Sequence, residues 1–358
     1  MKFTVDSTIM VKDKEASGNS RILKGFKPPF TAEVVQRAIE NGFELAGQTN
    51  TSEFAISNLD KDEEIQGDCL SVLSKGVCEA ALCNDYSGLV RRKIKKGCYI
   101  QPTYGTVSRY GLISCMSSSD QIGVAARDID TGFKTLKAIA GHDAKDGTSY
   151  PNKSYEYSGD MDISKMHIGI AENIEADVYT EKAIDTLKKA GADAAGFKLP
   201  YAELLPQIQF IISCGEISNN INRFDGVKYG CRAEGYRGVE DMYTKTRTEA
   251  LGIDAKLSSV MGALVLSEDY YEKYYDKALK LRGLFAAEFA KVFEEFDAVI
   301  LPQRFENKTN YENSLLTAPA ALAGTASLTI NGVQIISKVF GESILYSIGK
   351  KLQGEGKA

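Results

Sequence analysis

The stretch that decides the fold is YIQPTYGTVSRYGLISCMSSSDQIG, which spans residues 99–123. It combines a proline and several glycines with serines and short apolar runs. Glycine adopts backbone conformations that other residues avoid, and proline fixes φ, so this composition predicts closely specified turns after a strand edge at Tyr99–Ile100. Loops of this kind usually carry a functional site or brace one. We therefore expect the stretch to lie beside the site.

Composition and charge describe an ordinary soluble globular protein. Of the 358 residues, 43% are hydrophobic and 25% are charged, and the net charge of −5 provides no overall basic field for nucleic acid. No apolar run is long enough to span a membrane, and residues 1–14, MKFTVDSTIMVKDK, contain no apolar signal core. We therefore expect a cytoplasmic protein that neither enters a membrane nor contacts nucleic acid directly.

Cysteine and histidine usage excludes several kinds of chemistry. The seven cysteines include no Cys-x-x-Cys pair, which favours reduced thiols. The two histidines, His142 and His167, are far apart in the sequence. Metal sites and Ser-His-Asp triads both depend on histidine, so the sequence predicts no metal, no cofactor and no such triad.

The order of the predicted elements indicates an α/β fold. Residues 167–171 are typical of a strand, residues 180–190 of a helix and residues 193–199 of another strand. This βαβ-like order predicts a mixed sheet covered by helices. Residues 268–296 predict the longest helix, with an apolar stripe that includes its tyrosines. We expect one domain over residues 1–358 with a loose tail at 350–358.

A basic run, RRKIKK, occupies residues 91–96. Charge runs of this length usually form a solvated face, and this is our prediction for it. A contact with an anion or with nucleic acid is the alternative.

Three motifs carry a resemblance to a known family. QPTYGTVSRYGL at 101–112, SSDQIG at 118–123 and RFDGVKYG at 223–230 closely resemble segments of the amidase signature family, in its branch of amidotransferase A subunits. The resemblance covers nearly the whole chain. The chain lacks the family's N-terminal helical region. It also lacks part of the family's C-terminal end, because Leu328-Thr329-Ile330 is separated by a single residue from residues 332–335. The resemblance implies a single α/β/α layered domain around a central mixed sheet, and protein partners like the B and C subunits, GatB and GatC.

The family's chemistry uses a serine nucleophile, a second serine that relays the proton, and a buried lysine as base. Burial lowers the pKa of such a lysine toward neutrality. Residues 9–13, IMVKD, resemble the family's Ile-Ala-Ile-Lys-Asp, which places the base at Lys12. We expect Lys12 to be buried at the end of a central strand.

The two serines do not match. The family's Gly-Ser-Asp-Thr-Gly-Gly-Ser-Ile-Arg corresponds best to CNDYSGLVR at 83–91, which puts Leu89 at the nucleophile position. A gapless count back from Pro102 puts Ser87 there instead. The family's Gly-Gly-Ser-Ser-Gly-Gly-Ser becomes EEIQGDC at 63–69, so that Gln66 stands at the relay position.

Two further departures concern the glutamine pocket of the family. Ser258 replaces an arginine that is thought to bind the substrate carboxylate, and Ser314 replaces an aspartate that is thought to bind the amine. The chain is therefore predicted to be an inactive amidase that serves for binding or as a scaffold in a complex. One alternative is an active amidohydrolase with rearranged chemistry, and another is a small-molecule binder that uses the old cleft. The rearranged chemistry would pair Lys12 with Ser87, Ser71, Ser74 or Cys69.

Overall fold

A computed structural model describes residues 1–57, 65–151 and 155–355. Within these ranges the chain forms ten strands that join in one sheet. The strands are β1 (Lys2–Asp6), β2 (Glu44–Thr49), β3 (Ala80–Asn84), β4 (Cys98–Gln101), β5 (Ile122–Ala126), β6 (His167–Ala171), β7 (Asp193–Phe197), β8 (Ala298–Pro302), β9 (Ser327–Ile330) and β10 (Val333–Ser337).

Eleven α-helices lie in the same ranges. They are α1 (Glu33–Glu40), α2 (Cys69–Ser74), α3 (Leu89–Lys93), α4 (Ile129–Ile139), α5 (Val178–Lys189), α6 (Leu205–Ile221), α7 (Val239–Ala250), α8 (Ile253–Val265), α9 (Lys277–Glu295), α10 (Asn310–Ala323) and α11 (Glu342–Glu355). None of the described helices is both long and apolar enough to cross a membrane.

The sheet is mixed, and its strand order is β2-β1-β3-β5-β4-β9-β10-β8-β6-β7. The pairs at the two ends of the sheet are parallel, whereas every pair from β3 to β8 is antiparallel. Five reversals separate β3 from β8, so β8 runs opposite to β1 and β3. The carboxyl ends of β1 and β3 therefore lie at one edge of the sheet, and the carboxyl end of β8 lies at the other.

Helices cover both faces of the sheet. Successive side chains of a strand point to opposite faces, so Phe3 and Val5 of β1 enter a core that includes residues of α1, α4 and α11. Thr4 and Asp6 face the other side. There, a second core is formed with α6, α9 and α10, and a small cluster around Cys69 and Cys83 lies under α2.

The predicted fold class, one α/β/α layered domain around a mixed sheet, is confirmed. Three details of the prediction are wrong. The strand that we expected to end at Lys12 ends at Asp6. The tail is helical through Glu355, because Leu345, Ile348 and Leu352 of α11 are buried against the sheet; residues 356–358 lie outside the described part.

The longest helix also differs from its prediction. A π-helical segment at Tyr271–Asp276 precedes α9, and Tyr271 and Tyr274 are exposed rather than packed. The apolar stripe that does pack begins at Ala278 and includes Phe285 and Phe289.

Candidate functional site

Lys12, the predicted base, is exposed, so the expectation that it is buried is wrong. The apolar residues before it are not a strand: Ile9 pairs only with Leu112 through an isolated bridge, and the Met10 amide donates to the Gly111 carbonyl at 2.9 Å. Loop packing therefore buries Ile9 and leaves Lys12 in a surface turn. Its backbone amide donates to Thr31 Oγ1 at 3.0 Å, and within the described residues no side chain bonds its ammonium group.

Asp6, rather than Lys12, stands at the end of the strand β1. Its Oδ1 accepts from the backbone amide of Thr8 at 2.8 Å and from the Thr8 hydroxyl, and its Oδ2 accepts from the Asn84 amide at 2.6 Å. Complete burial raises the pKa of the Asp6 carboxyl to about 6, although these hydrogen bonds lower that pKa. The strand end of the site thus carries a carboxyl group, and the amine in the cavity wall is that of Lys93 at the end of α3.

Asp6 and Leu89 line the same small cavity. The cavity measures about 20 Å³, and Cys69, Cys83 and Lys93 also contribute to its wall. Leu89, which we predict at the nucleophile position, is the first residue of α3. The end of β1, the start of α3 and the helix α2 meet at this cavity. Its described lining contains no serine.

The turn before α3 explains why the motif CNDYSGLVR remains recognisable. Asp85 accepts from the backbone amides of Val90 at 2.8 Å and Arg91 at 3.1 Å, and its Oδ2 lies 3.1 Å from Arg91 Nε. Gly88 has a φ of +76°, and a Cβ there would lie 2.6 Å from Thr317. These three residues shape the turn and need no substrate to do so.

Asp120, in the stretch at residues 99–123, is connected to the same site through hydrogen bonds. Its Oδ1 accepts from Asn84 Nδ2 at 2.8 Å, and its Oδ2 accepts from the amides of Cys115 and Met116, both at 2.9 Å. Because Asn84 also donates its amide to Asp6, the stretch fixes the end of β3 beside the cavity.

Gln66, at the predicted relay position, is exposed. Its backbone carbonyl accepts from Asn50 Nδ2 at 2.7 Å, and it is the preceding residue, Ile65, that lines the cavity. Residues 63 and 64 of the same motif lie outside the described residues. Neither Gln66 nor Ile65 could relay a proton, because an amide and a hydrocarbon lack an ionisable hydroxyl.

Of the alternative nucleophiles on α2, only Cys69 reaches the cavity. Ser71 donates its amide to Asp68 and Ser74 donates its hydroxyl to the Ser71 carbonyl, so both belong to the helix itself. The neighbouring Cys69 thiol, together with burial, raises the pKa of the Cys83 thiol well above its ordinary value. Cys83 therefore remains a neutral thiol rather than a reactive thiolate.

Ser87 faces a second, separate cavity of about 20 Å³ with Ser314, the position of the amine-binding aspartate. The buried polar atoms Ser87 Oγ, Tyr86 Oη and Gln209 Oε1 line it and have no hydrogen-bond partner within the described part of the chain. The described lining contains no lysine or histidine that could act as a base.

Ser258, the position of the carboxylate-binding arginine, does not reach that cavity. It is fully buried on α8, where it packs against Cys214 of α6. Burial raises the pKa of the Cys214 thiol to about 12 even though the Ser258 hydroxyl bonds it. The structure thus brings Ser87 and Ser314 together and leaves Ser258, Gln66 and Lys12 elsewhere.

Sequence reasoning missed Asp6. The alternation of KFTVD, in which Phe3 and Val5 are apolar and Thr4 and Asp6 are polar, marks a strand that ends at Asp6. The apolar run Ile9–Val11 conceals this signal, because it resembles a strand end just as well.

Comparisons with known proteins agree with this geometry. The family model described as Amidase matches residues 72–345. The A subunit of glutamyl-tRNA(Gln) amidotransferase from Latilactobacillus sakei is 31% identical over 98% of this chain and 81% of its own length. Its counterpart in Heliobacterium modesticaldum is 33% identical over 92% of this chain and 77% of its own length.

Solved structures give the same result. The crystal structure of the A subunit of glutamyl-tRNA(Gln) amidotransferase from Thermotoga maritima matches with a TM-score of 0.77 and 25% identity, over 98% of this chain and 82% of that one. Peptide amidase from Stenotrophomonas maltophilia, at 19% identity, shares the fold with a TM-score of 0.78 over 100% of this chain and 83% of that one. The resemblance predicted from the motifs is confirmed, and the chain belongs to the amidase family.

Proposed function

We propose that this chain is a non-catalytic member of the amidase family that serves for binding or as a scaffold in a complex. One observation carries the proposal: the cavity between the end of β1 and the start of α3 is lined by Asp6 and Leu89. The family's reaction needs an amine that takes a proton and a hydroxyl that attacks. Loss of a nucleophile alone costs a serine hydrolase about 10⁶ in rate.

The carboxyl group of Asp6 does not replace an amine at the end of β1, and the amine in the cavity wall belongs to Lys93 in the last turn of α3. Both oxygens of the Asp6 carboxyl already accept hydrogen bonds from Thr8 and Asn84, which hold it in place as a structural acceptor. The leucine side chain beside it offers no lone pair. Cys69 supplies a thiol to the same cavity, but the described lining contains no histidine that could act as its general base.

The sizes of the two cavities argue against a small-molecule binder that uses the old cleft. Each measures about 20 Å³. Such a space is close to the roughly 10–15 Å³ that one water molecule requires, and glutamine is several times larger.

Activity can be tested directly by measuring ammonia release from glutamine, asparagine and a set of simple primary amides. We expect the wild-type chain to release no more ammonia than the matched variant Asp6→Ala/Leu89→Ala, which controls for contaminating amidases. A third variant, Ser87→Ala, addresses the other serine placement. Turnover by the wild type that either variant abolishes would overturn the proposal.

The relatives' names identify them as subunits of an amidotransferase, which supports membership of a complex. We extend this to a partner for the present chain. Ile253, Val260 and Leu264 are spaced by seven and four residues on α8, so they lie on one helix face, and they are 71%, 69% and 44% exposed. An apolar stripe of this kind suits a helix of a partner protein.

The partner proposal is tested by affinity purification from the native host with quantitative mass spectrometry. Val260→Asp should lose a stoichiometric partner that the wild type retains. Val178→Asp is the matched control, because Val178 is equally exposed at 69% but lies on α5, away from α8. A chain that elutes as a monomer and yields the same profile for all three proteins would contradict a scaffold role.

A further inference from the structure

A cavity of about 740 Å³ lies at the edge of the sheet where β8 ends. Because β8 runs opposite to β1 and β3, this is the edge away from the Asp6 cavity. Its volume falls in the range of about 300–1,000 Å³ that is typical of pockets for small molecules and cofactors. It is more than thirty times larger than either cavity near the old site.

Hydrogen bonds between distant segments fix the walls of this cavity. Gln303, just after β8, donates its amide to the carbonyls of Arg91 and Ile94, both at 2.7 Å. Asn331, in the short β9–β10 turn, donates its amide to the Leu352 carbonyl at 2.9 Å. The cavity is therefore a preformed feature of the fold rather than a gap between loose loops.

The β9–β10 turn also admits an aromatic ring. Gly332 has a φ of +85°, and a Cβ there would lie 2.7 Å from the ring of Tyr179. Glycine thus lets Tyr179, at the start of α5, lie against the turn at the cavity wall. The ring is 58% exposed and can take a further planar group on its open side.

The wall of this cavity contains two more cationic residues than acidic ones. The charged lining residues are Arg92, Lys95, Lys182, Arg304, Asp177 and Glu306. Both carboxylates are engaged: Asp177 accepts from the Thr180 amide at 2.8 Å, and Glu306 lies 3.6 Å from Arg304 Nε. Lys95 and Lys182 are exposed and form no ion pair within the described part of the chain.

We propose that this cavity binds a nucleoside phosphate. Lys95 and Lys182 would hold the phosphate groups, since charge-assisted hydrogen bonds to phosphate are among the strongest that lysine makes. The ring of Tyr179 and the apolar side chains of Ile94, Ala183 and Leu352 offer a surface for a base. The proposal does not depend on whether the amidase site is active, because no residue that lines the large cavity also lines the Asp6 cavity.

The basic run at residues 91–96 does not form the fully solvated face that we predicted from its sequence. Arg91 and Arg92 are buried, and Arg92 donates to the Ser87 carbonyl at 2.6 Å while lining the large cavity. Lys95 follows at the mouth. The alternative prediction, a contact with an anion, is the one that the cavity supports.

Isothermal titration calorimetry of the full chain with ADP, adenosine and inorganic phosphate tests the proposal. We expect saturable binding of ADP at low salt, weakened at least about tenfold in Lys95→Glu/Lys182→Glu because the phosphates lose their counter-charges. The matched control is Lys188→Glu, an exposed lysine on the same helix that does not line the cavity. It should bind ADP as the wild type does.

The other ligands separate the parts of the proposal. Adenosine and phosphate should each bind more weakly than ADP, and Tyr179→Ala should reduce ADP binding without changing phosphate binding. Absence of saturable ADP binding would overturn the proposal, as would equal ADP affinity in the double variant and the Lys188→Glu control. Phosphate that binds as tightly as ADP would reduce the site to a simple anion pocket and overturn its assignment to a nucleoside.

Discussion

Two neighbouring pieces of the same motif differ in what their side chains do. In the turn from Asp85 to Arg91, each charged group bonds backbone amides or its opposite charge. In the cavity beside it, Asp6 and Leu89 contribute a carboxyl group and a hydrocarbon side chain to one wall. The difference teaches that a motif can persist for its role in the fold, because buried polar groups must be satisfied whether or not a reaction occurs. A recognisable motif is therefore evidence of architecture before it is evidence of activity.

The largest effect is expected when the structural half of the motif is broken. Arg91→Ala leaves the Asp85 carboxylate without its guanidinium in a fully buried site, because both side chains of this pair are only 1% exposed. Removing one partner of a buried ion pair typically costs about 3–5 kcal/mol. Urea unfolding should show this loss. The control is Arg127→Ala, which breaks the exposed pair with Glu79 and should cost less than about 1 kcal/mol.

The second prediction concerns Asp6 and pH. Its pKa of about 6 in the folded chain exceeds the ordinary 3.8, so between these values the folded state binds more protons than the unfolded state. The free energy of unfolding should therefore fall as pH rises from about 4 to about 6, by about 3 kcal/mol from this group.

Asp6→Asn isolates that contribution. The variant should lose this part of the pH dependence, whereas at pH 4, where the wild-type carboxyl is largely protonated, the two proteins should differ least. Urea unfolding at pH 4, 5, 6 and 7 gives the difference between them. A difference that stays constant across this range would show that Asp6 titrates normally.

Much of the fold could be predicted from the sequence, because helices and buried strands carry local signals. The strand β6 has its predicted bounds, and the helix α5 and the strand β7 lie within two residues of theirs. The motifs supplied the layered architecture through resemblance. The order of ten strands had no local signal, since it depends on pairings between residues that are far apart in the chain.

The site was predicted less well for the same reason. Leu89 and Ser314 were predicted from motifs with fixed spacing, and each lines a cavity. Their roles stay predictions. The prediction for Lys12 was wrong because burial of Ile9 comes from Leu112, about a hundred residues away, rather than from a strand. The large cavity at the end of β8 forms where α5, the β9–β10 turn and α11 come together. The sequence of any one of these segments therefore could not predict the cavity.

The third prediction separates the two constraints on Gly88. Gly88→Ala forces a side chain into both a left-handed conformation and a contact of 2.6 Å with Thr317. Gly25→Ala is a matched control, since Gly25 has nearly the same φ, +79°, but no atom within 4 Å of the added Cβ. The control should lose about 1–2 kcal/mol from the backbone alone. A larger loss in Gly88→Ala, again by urea unfolding, would measure the packing of α3 against α10.

The last prediction has the smallest expected effect: Leu89→Ser alone should not create amidase activity. The new hydroxyl would stand at the first position of α3 near Asp6, but both oxygens of that carboxyl are committed to Thr8 and Asn84. The relay position offers Gln66 or Ile65, and neither can pass a proton. A serine without base or relay is a poor nucleophile. Ammonia release from glutamine should therefore match that of the wild type, with Leu89→Ala as the control for packing. Release by Leu89→Ser alone would mean that Asp6 can act as a base. The contrast between the structural turn at residues 85–91 and an inactive cavity beside it would then be wrong.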